Sequence, residues 1–173
     1  QFDQSVVYYS AVLDDKPKLG NGDWFLLFSR GIAYEQTNQW DKAEADFLKA
    51  LSIRPNDPQL LNYLGYSWID RGMNYEKARE MLEKAVELRP EDGFIVDSLG
   101  WAESLLGNYE TALRHLQKAV QLEPGDATLN EHLGDVLWQL GRQREARFQW
   151  QHAIDLGGDD IDPEALRLKG LLG

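Results

Sequence analysis

Residues 92–124 read DGFIVDSLGWAESLLGNYETALRHLQKAVQLEP, and the order of small and large side chains in them decides the fold. Val96, Leu99 and Gly100, then Ala112, Leu116 and Ala119, have the three- and four-residue spacing of two amphipathic helices. Gly107 falls between them, where a turn takes positive φ. Pro124 follows the second, where a missing N–H and a ring clash stop a helix. The same order recurs up and down the chain. Gly31 pairs with Ala43, Gly65 with Ala78, Gly100 with Ala112 and Gly134 with Ala146, in units of about 34 residues, the period of a helix-turn-helix module that stacks on copies of itself.

The period predicts an all-α superhelix, a solenoid of helical hairpins. Its units run over 23–56, 57–91, 92–125 and 126–158, the second with one extra residue around Arg71 to Asn74. Small residues at Gly31 and Ala43 and their equivalents let the two helices approach, and large neighbours fill the holes. Pro55, Pro90 and Pro124 close second helices, Asp57-Pro58 reads as an N-cap with proline at the first helical position, and Gly72, Gly107 and Gly141 suit the hairpin turns. Phe2, Ser5, Tyr9, Val12, Leu13 and Pro17 repeat the second-helix spacing. Residues 1–17 therefore read as the second helix of an incomplete preceding unit, and the chain as a piece of a longer array. Residues 18–22 are a Gly-rich connection. Asp162-Pro163 opens a capping helix within 159–173, with Leu166, Leu168, Leu171 and Leu172 available to cover the last hairpin.

Composition narrows the function. The 173 residues are 43% hydrophobic, and no run approaches the 18 apolar residues of a membrane span. Residues 1–5 lack the basic and apolar regions of a signal peptide. There is no cysteine, hence neither disulfide nor thiolate metal site, and the compartment stays open. The net charge of −11 opposes duplex nucleic acid and anionic lipid and favours a neutral or basic partner.

With Leu-Gly, Tyr, Ala, Phe, Ala and Pro recurring in order over residues 24 to 156, the chain resembles the tetratricopeptide repeat (TPR) family. Its departures are Arg30 at a usual leucine, Glu103 at the first-helix tyrosine and Gly158 at the last proline. The stretches Asn-Tyr-Leu-Gly-Tyr-Ser-Trp, Asp-Ser-Leu-Gly-Trp and Ala-Arg-Phe-Gln-Trp are similar to C-terminal arrays of proteobacterial TPR proteins, some of them envelope adaptors. That resemblance implies a bacterial, non-catalytic protein-binding scaffold or adaptor with no cofactor and a periplasmic or envelope-associated location.

No catalytic motif is present: neither a Gly-x-Gly-x-x-Gly or Walker loop, nor a Gly-x-Ser-x-Gly elbow, nor a His-Glu-x-x-His pair. Glu131, His132 and Asp135 lie within one turn of one helix, too few ligands for a metal site. His115 and His152 read as surface or packing residues. Asp97 in Asp-Ser-Leu-Gly-Trp lacks a companion histidine and is expected to face a ligand or a neighbouring helix. Mixed charges along the second helices form a solvated face, while Tyr34, Trp40, Phe47, Tyr75, Tyr109 and Trp150 take repeat-packing positions.

The family resemblance implies that first-helix positions line a concave groove. In this chain they are Phe25, Phe28, Asn62, Tyr63, Tyr66, Asp97, Trp101, Glu131, Asp135 and Trp138, the expected partner-binding residues. Ile32, Glu35, Ile69, Asp70, Phe94, Ser98, Ser104 and His132 fall in the same register. Aromatic side chains give large contact area at low entropic cost, as an anchoring groove requires. Carboxylates without a single Lys or Arg in that register disfavour an acidic peptide tail. They favour an apolar or basic segment, its Arg or Lys meeting Asp97 or Asp135 and an apolar residue between Tyr66 and Trp101. Self-association through Phe2 to Leu13 or the groove is the alternative reading.

Overall fold

A computed structural model describes residues 2–16, 18–158 and 161–171, the side chain of Leu171 excepted; Pro17 and Leu172 lie outside the described residues. The described residues form ten helices in the order α1 Phe2–Asp14, α2 Trp24–Gln36, α3 Trp40–Ile53, α4 Pro58–Asp70, α5 Tyr75–Leu88, α6 Gly93–Leu105, α7 Tyr109–Leu122, α8 Ala127–Gln139, α9 Gln143–Leu156 and α10 Pro163–Leu171. The described residues contain no strand. The chain falls into two compact units, residues 1–64 and 65–173.

Punctuation acts where the residues place it. α3, α5 and α7 stop at Ile53, Leu88 and Leu122, each two residues before a proline. The residues before Pro55, Pro90 and Pro124 carry φ of −128°, −138° and −128°, outside the helical region, as the proline ring requires. Asp57, Asp92 and Asp126 cap the following helices, their Oδ1 atoms accepting from Leu60, Ile95 and Leu129 N–H at 3.1–3.3 Å. Gly107 and Gly141 take φ of 81° and 75° in their turns. The longer turn after α4 needs two left-handed residues, Gly72 and Asn74, at 68° and 48°.

In the first unit, α2 packs against α1 and α3. Gly31 makes room for Phe47, since a Cβ on Gly31 would lie 2.4 Å from Phe47 Cε1. The hole beside this glycine is thus filled by a large ring four residues beyond Ala43, while Ala43 itself is fully buried nearby. Arg30 takes the place of the usual leucine by forking onto Asp46 at 2.7 and 2.8 Å and reaching Ser10 of α1 at 3.3 Å. Asp23 accepts from Gly20 N–H at 2.6 Å and pairs with Lys16, tying the Gly-rich connection to the start of α2.

The second unit repeats the device. A Cβ on Gly65 would lie 3.0 Å from Leu82, on Gly100 2.8 Å from Leu116, and on Gly134 2.4 Å from Trp150. Ala78, Ala112 and Ala146 are fully buried at the adjoining contacts. α6 pairs with α7 and α8 with α9, and α7 packs on α8. Glu103, at the usual tyrosine, is buried and bonded by Asn108 Nδ2 at 2.7 Å, with Arg79 at 4.0 Å. α10 packs on α9, capped by Asp162 and sunk at Ile161 and Leu166, which join the core of Leu133, Val136, Leu137 and Trp150. Leu168, expected to help cover the last hairpin, is instead 55% exposed, because it sits two residues from Leu166 and so on another face of α10.

Gly100→Leu is expected to overpack the α6–α7 contact and cost about 1–3 kcal/mol or more in urea unfolding. Gly125→Ala, where an added Cβ meets nothing within 4 Å, is the control and should leave the midpoint unchanged.

Candidate functional site

The residues expected to bind a partner divide between the two units. In the first, Phe25 is 55% exposed and meets Trp24 edge-on. Phe28 stands edge-on to Tyr63, with centroids 5.1 Å apart, and both rings pack against Phe47. Tyr63 Oη donates to Glu35 Oε2 at 2.6 Å. Half-buried Asn62 has its Oδ1 buried with no hydrogen-bond partner among the described residues. Phe28 and Tyr63, both half-buried, thus rest on the filler of the Gly31 hole.

In the second unit the first helices are buried beyond what a solvated groove face allows. α6 is buried nearly all round, its polar residues Asp97, Ser98, Glu103 and Ser104 included. Ile69 is only 2% exposed and belongs to the core. Ser98 and Ser104 turn their hydroxyls back on helix carbonyls, donating to Phe94 O at 3.0 Å and Trp101 O at 2.7 Å. Tyr66 is half-buried, and burial first, then the negative charges of Asp70 and Asp97, hold its phenol above the ordinary range. Phe94 is 52% exposed at the start of α6.

Asp97 does have a companion histidine, contrary to the reading within its own helix. His132 of α8 donates from Nδ1 to Asp97 Oδ2 at 2.9 Å, across two first helices one repeat apart. The imidazole also stacks on Trp101, with centroids 4.2 Å apart and planes 13° from parallel. Burial, the largest influence on His132, pushes its pKa down. The hydrogen bond and charge of Asp97, with the charges of Asp135 and Glu131, outweigh it and hold the pKa above the ordinary value.

One turn along α8, Asp135 accepts from Trp150 Nε1 at 2.9 Å. Lys169 of α10 reaches the same carboxylate at 2.9 and 3.0 Å and Glu131 at 3.0 Å. Its ammonium lies 5.9 Å from the Trp150 ring centroid. Partial burial would lower its pKa, but the bonds and charge of Asp135, then of Glu131, raise it. The carboxylates of this register therefore do meet a cation, supplied from outside the repeats. Lys169 is three residues beyond buried Leu166, on the same helix face, and that spacing was the signal for it.

Beside this ion pair lies a cavity of about 320 Å³ lined by Trp101, Ser104 and Leu105 of α6, Tyr109 of α7, Asp135, Val136, Trp138 and Gln139 of α8, Trp150 of α9, and Lys169. Trp138 and Trp150 are 5.3 Å apart, and the Arg147 guanidinium lies 5.6 Å over Trp138. Tyr109 and Trp150, read from the sequence as packing residues, are also walls of this cavity. Its chemistry is that of an aromatic slot with one charged edge, able to take an apolar side chain and orient a neighbouring cation. Among the described residues no group of three His, Asp or Glu side chains is placed to hold a metal, and no helix is long and apolar enough to cross a membrane.

A family model described as tetratricopeptide repeat matches residues 8–156. A TPR repeat-containing protein of Pseudomonas aeruginosa is 38% identical over 79 residues, 46% of this chain and 13% of that protein's length. Among solved structures, PilF of Pseudomonas aeruginosa aligns with a TM-score of 0.80 at 18% identity, over 98% of this chain and 75% of that one. A thermophilic TPR protein of Thermus thermophilus aligns at 0.78 and 19%, over 99% and 91%. MamA of Desulfovibrio magneticus RS-1 aligns at 0.77 and 24%, over 90% and 85%. At these identities the structural likeness is one of fold.

The raised pKa of His132 means that the folded protein binds this proton more tightly than the unfolded chain. Its stabilisation is complete below about pH 6.5, the ordinary histidine value, and is lost as pH rises through the folded value. The unfolding free energy of the wild type minus that of His132→Gln should therefore fall as pH increases from about 5 to about 9. A difference that stays flat over that range would remove the buried Asp97–His132 ion pair.

Proposed function

Because the chain belongs to the tetratricopeptide repeat family, we propose that it is a protein-binding scaffold or adaptor, non-catalytic, that takes an apolar or basic segment of a partner protein on its first helices. The observation that carries this reading is the cavity walled by Trp101, Tyr109, Trp138 and Trp150 with Asp135 at its edge. Indole and phenol rings concentrate binding energy where they form a desolvated pocket, and a carboxylate beside them selects against acidic segments. The net charge of −11 works in the same direction over longer range. Non-catalytic use agrees with the site's own bonds: the Ser98 and Ser104 hydroxyls are directed to helix carbonyls, and His132 Nδ1 is held by Asp97. The likeness to arrays of envelope adaptors extends the proposal to a periplasmic or envelope-associated role.

Self-association is the second reading, and α1 favours it. Phe2, Val7 and Tyr8 are 48%, 69% and 65% exposed on this helix, large apolar side chains that a second copy could cover.

Trp101→Ala or Tyr66→Ala is expected to weaken partner binding by about 1–4 kcal/mol with helix content unchanged. Comparing what immobilised wild-type and variant proteins retain, with circular dichroism on each, tests it; loss of folding in either variant would place that ring in the core. For the alternative, sedimentation should show a concentration-dependent association that Val7→Lys with Tyr8→Lys abolishes. A wild type that stays monomeric at all concentrations would eliminate it.

A further inference from the structure

We propose that Lys169 is a built-in competitor: Glu131, Asp135 and the Trp150 face form a subsite for the ammonium or guanidinium of a partner segment, which enters by displacing the protein's own lysine. The inference rests on the groove-binding reading and names the chemistry of its ligand.

The subsite is shown occupied. One ammonium sits 2.9–3.0 Å from three carboxylate oxygens on two residues and 5.9 Å from an indole centroid. That set is complete for a cation: two negative charges to neutralise it and an aromatic face beneath it. Asp135 is held in place by Trp150 Nε1, so the acceptor keeps its position when Lys169 leaves.

The lysine that fills the subsite comes from an element outside the repeats and fastened at few points. α10 is nine residues long. It is anchored by Ile161 and Leu166 at one end and by Arg147 Nε donating to Gly170 O at 2.7 Å at the other. The Lys169 side chain remains 38% exposed, so exchanging it for another cation requires rotation of a flexible side chain and leaves the buried leucine in place. The adjoining cavity then fixes the rest of the ligand. A cationic residue at the subsite puts its apolar sequence neighbour against Trp101 and Trp138, which line about 320 Å³, room for an aromatic ring. The subsite's own charged groups, Glu131 and Asp135, are both negative, so it selects a cation over an acidic group.

A site whose open form is only fractionally populated binds with its affinity reduced by that fraction, so removing the competitor tightens binding without adding a contact. The test uses blocked dipeptides as probes, acetyl-Phe-Arg-amide and acetyl-Arg-Phe-amide, each against its Gln counterpart, titrated by NMR into the wild type and Lys169→Gln. The variant should bind the Arg peptides about tenfold more tightly and the Gln peptides no more than about twofold more tightly. Asp135→Asn, which keeps an acceptor for Trp150 but removes the charge, should abolish the gain in the Lys169→Gln background. Should the variant fold poorly, the wild type alone decides: acylation of Lys169, referenced to exposed Lys77, should rise several-fold at saturating Arg peptide and not with Gln peptide. Equal affinities in wild type and variant, or unchanged Lys169 acylation, overturn the displacement while leaving the groove reading standing. No binding of any probe to either folded protein overturns both.

Discussion

Every hairpin rests on one steric arrangement, a glycine on the first helix whose missing side chain is replaced by a large residue from the second. Phe47 fills the hole at Gly31, Leu82 at Gly65, Leu116 at Gly100 and Trp150 at Gly134. Alanines beside these contacts, each fully buried, keep the helices close enough for the insertion to seal. Because the filler comes from below, the other faces of the first helices are released from hairpin closure. Phe28 and Tyr63 can lean on Phe47 and still stay half-exposed. Trp150 fills its glycine hole and forms a cavity wall with the same indole, donating its N–H to Asp135. The closure of the hairpin and the shape of the candidate site are thus one contact seen from two sides.

The helices and their turns were legible because each is determined within a few residues: a proline two positions past the helix end, a glycine at positive φ, an aspartate before the first turn. The assignment of α2 to α9 to an array of TPR hairpins follows from their recurrence. What the periodicity could not show is pairing between helices. It placed Asp97 and His132 on their own helices and so left the aspartate without its histidine, although the two lie 35 residues apart, within one residue of the period. Nor could it foresee how thoroughly α6 is enclosed, since an apolar residue in a groove register and one in a core register have the same spacing; Ile69 is the plain instance. The repeat register missed the cation at Glu131 and Asp135 for another reason. It belongs to α10, which has no counterpart in the repeats from which the register was drawn.

The carboxylates of α6 and α8 are each met by a partner from outside their own helix. Asp97 is answered by His132, Glu103 by Asn108 with Arg79 farther off, and Asp135 with Glu131 by Lys169. Each pairing is made by a residue of a different helix from the carboxylate it meets, or from the turn beyond it. Asp97 and Glu103 are buried and Glu131 and Asp135 half-buried; carboxylates drawn from water are costly unless partnered, so they hold helices in one register as well as shaping what can approach. A basic ligand therefore meets carboxylates already positioned by internal partners, the arrangement in which a new cation loses least on binding.

The glycine and its filler also set the unit in which such a chain can change by inheritance. Phe, Leu and Trp all serve as fillers, yet each is matched to its own hole, and the two halves of the match lie on opposite helices of one hairpin. A duplication or exchange that copies a whole hairpin carries both halves together and yields a sound module at once. One that breaks inside a hairpin joins a hole to a stranger's side chain, so exchange is expected to be tolerated at the prolines that separate hairpins and penalised in the turns within them.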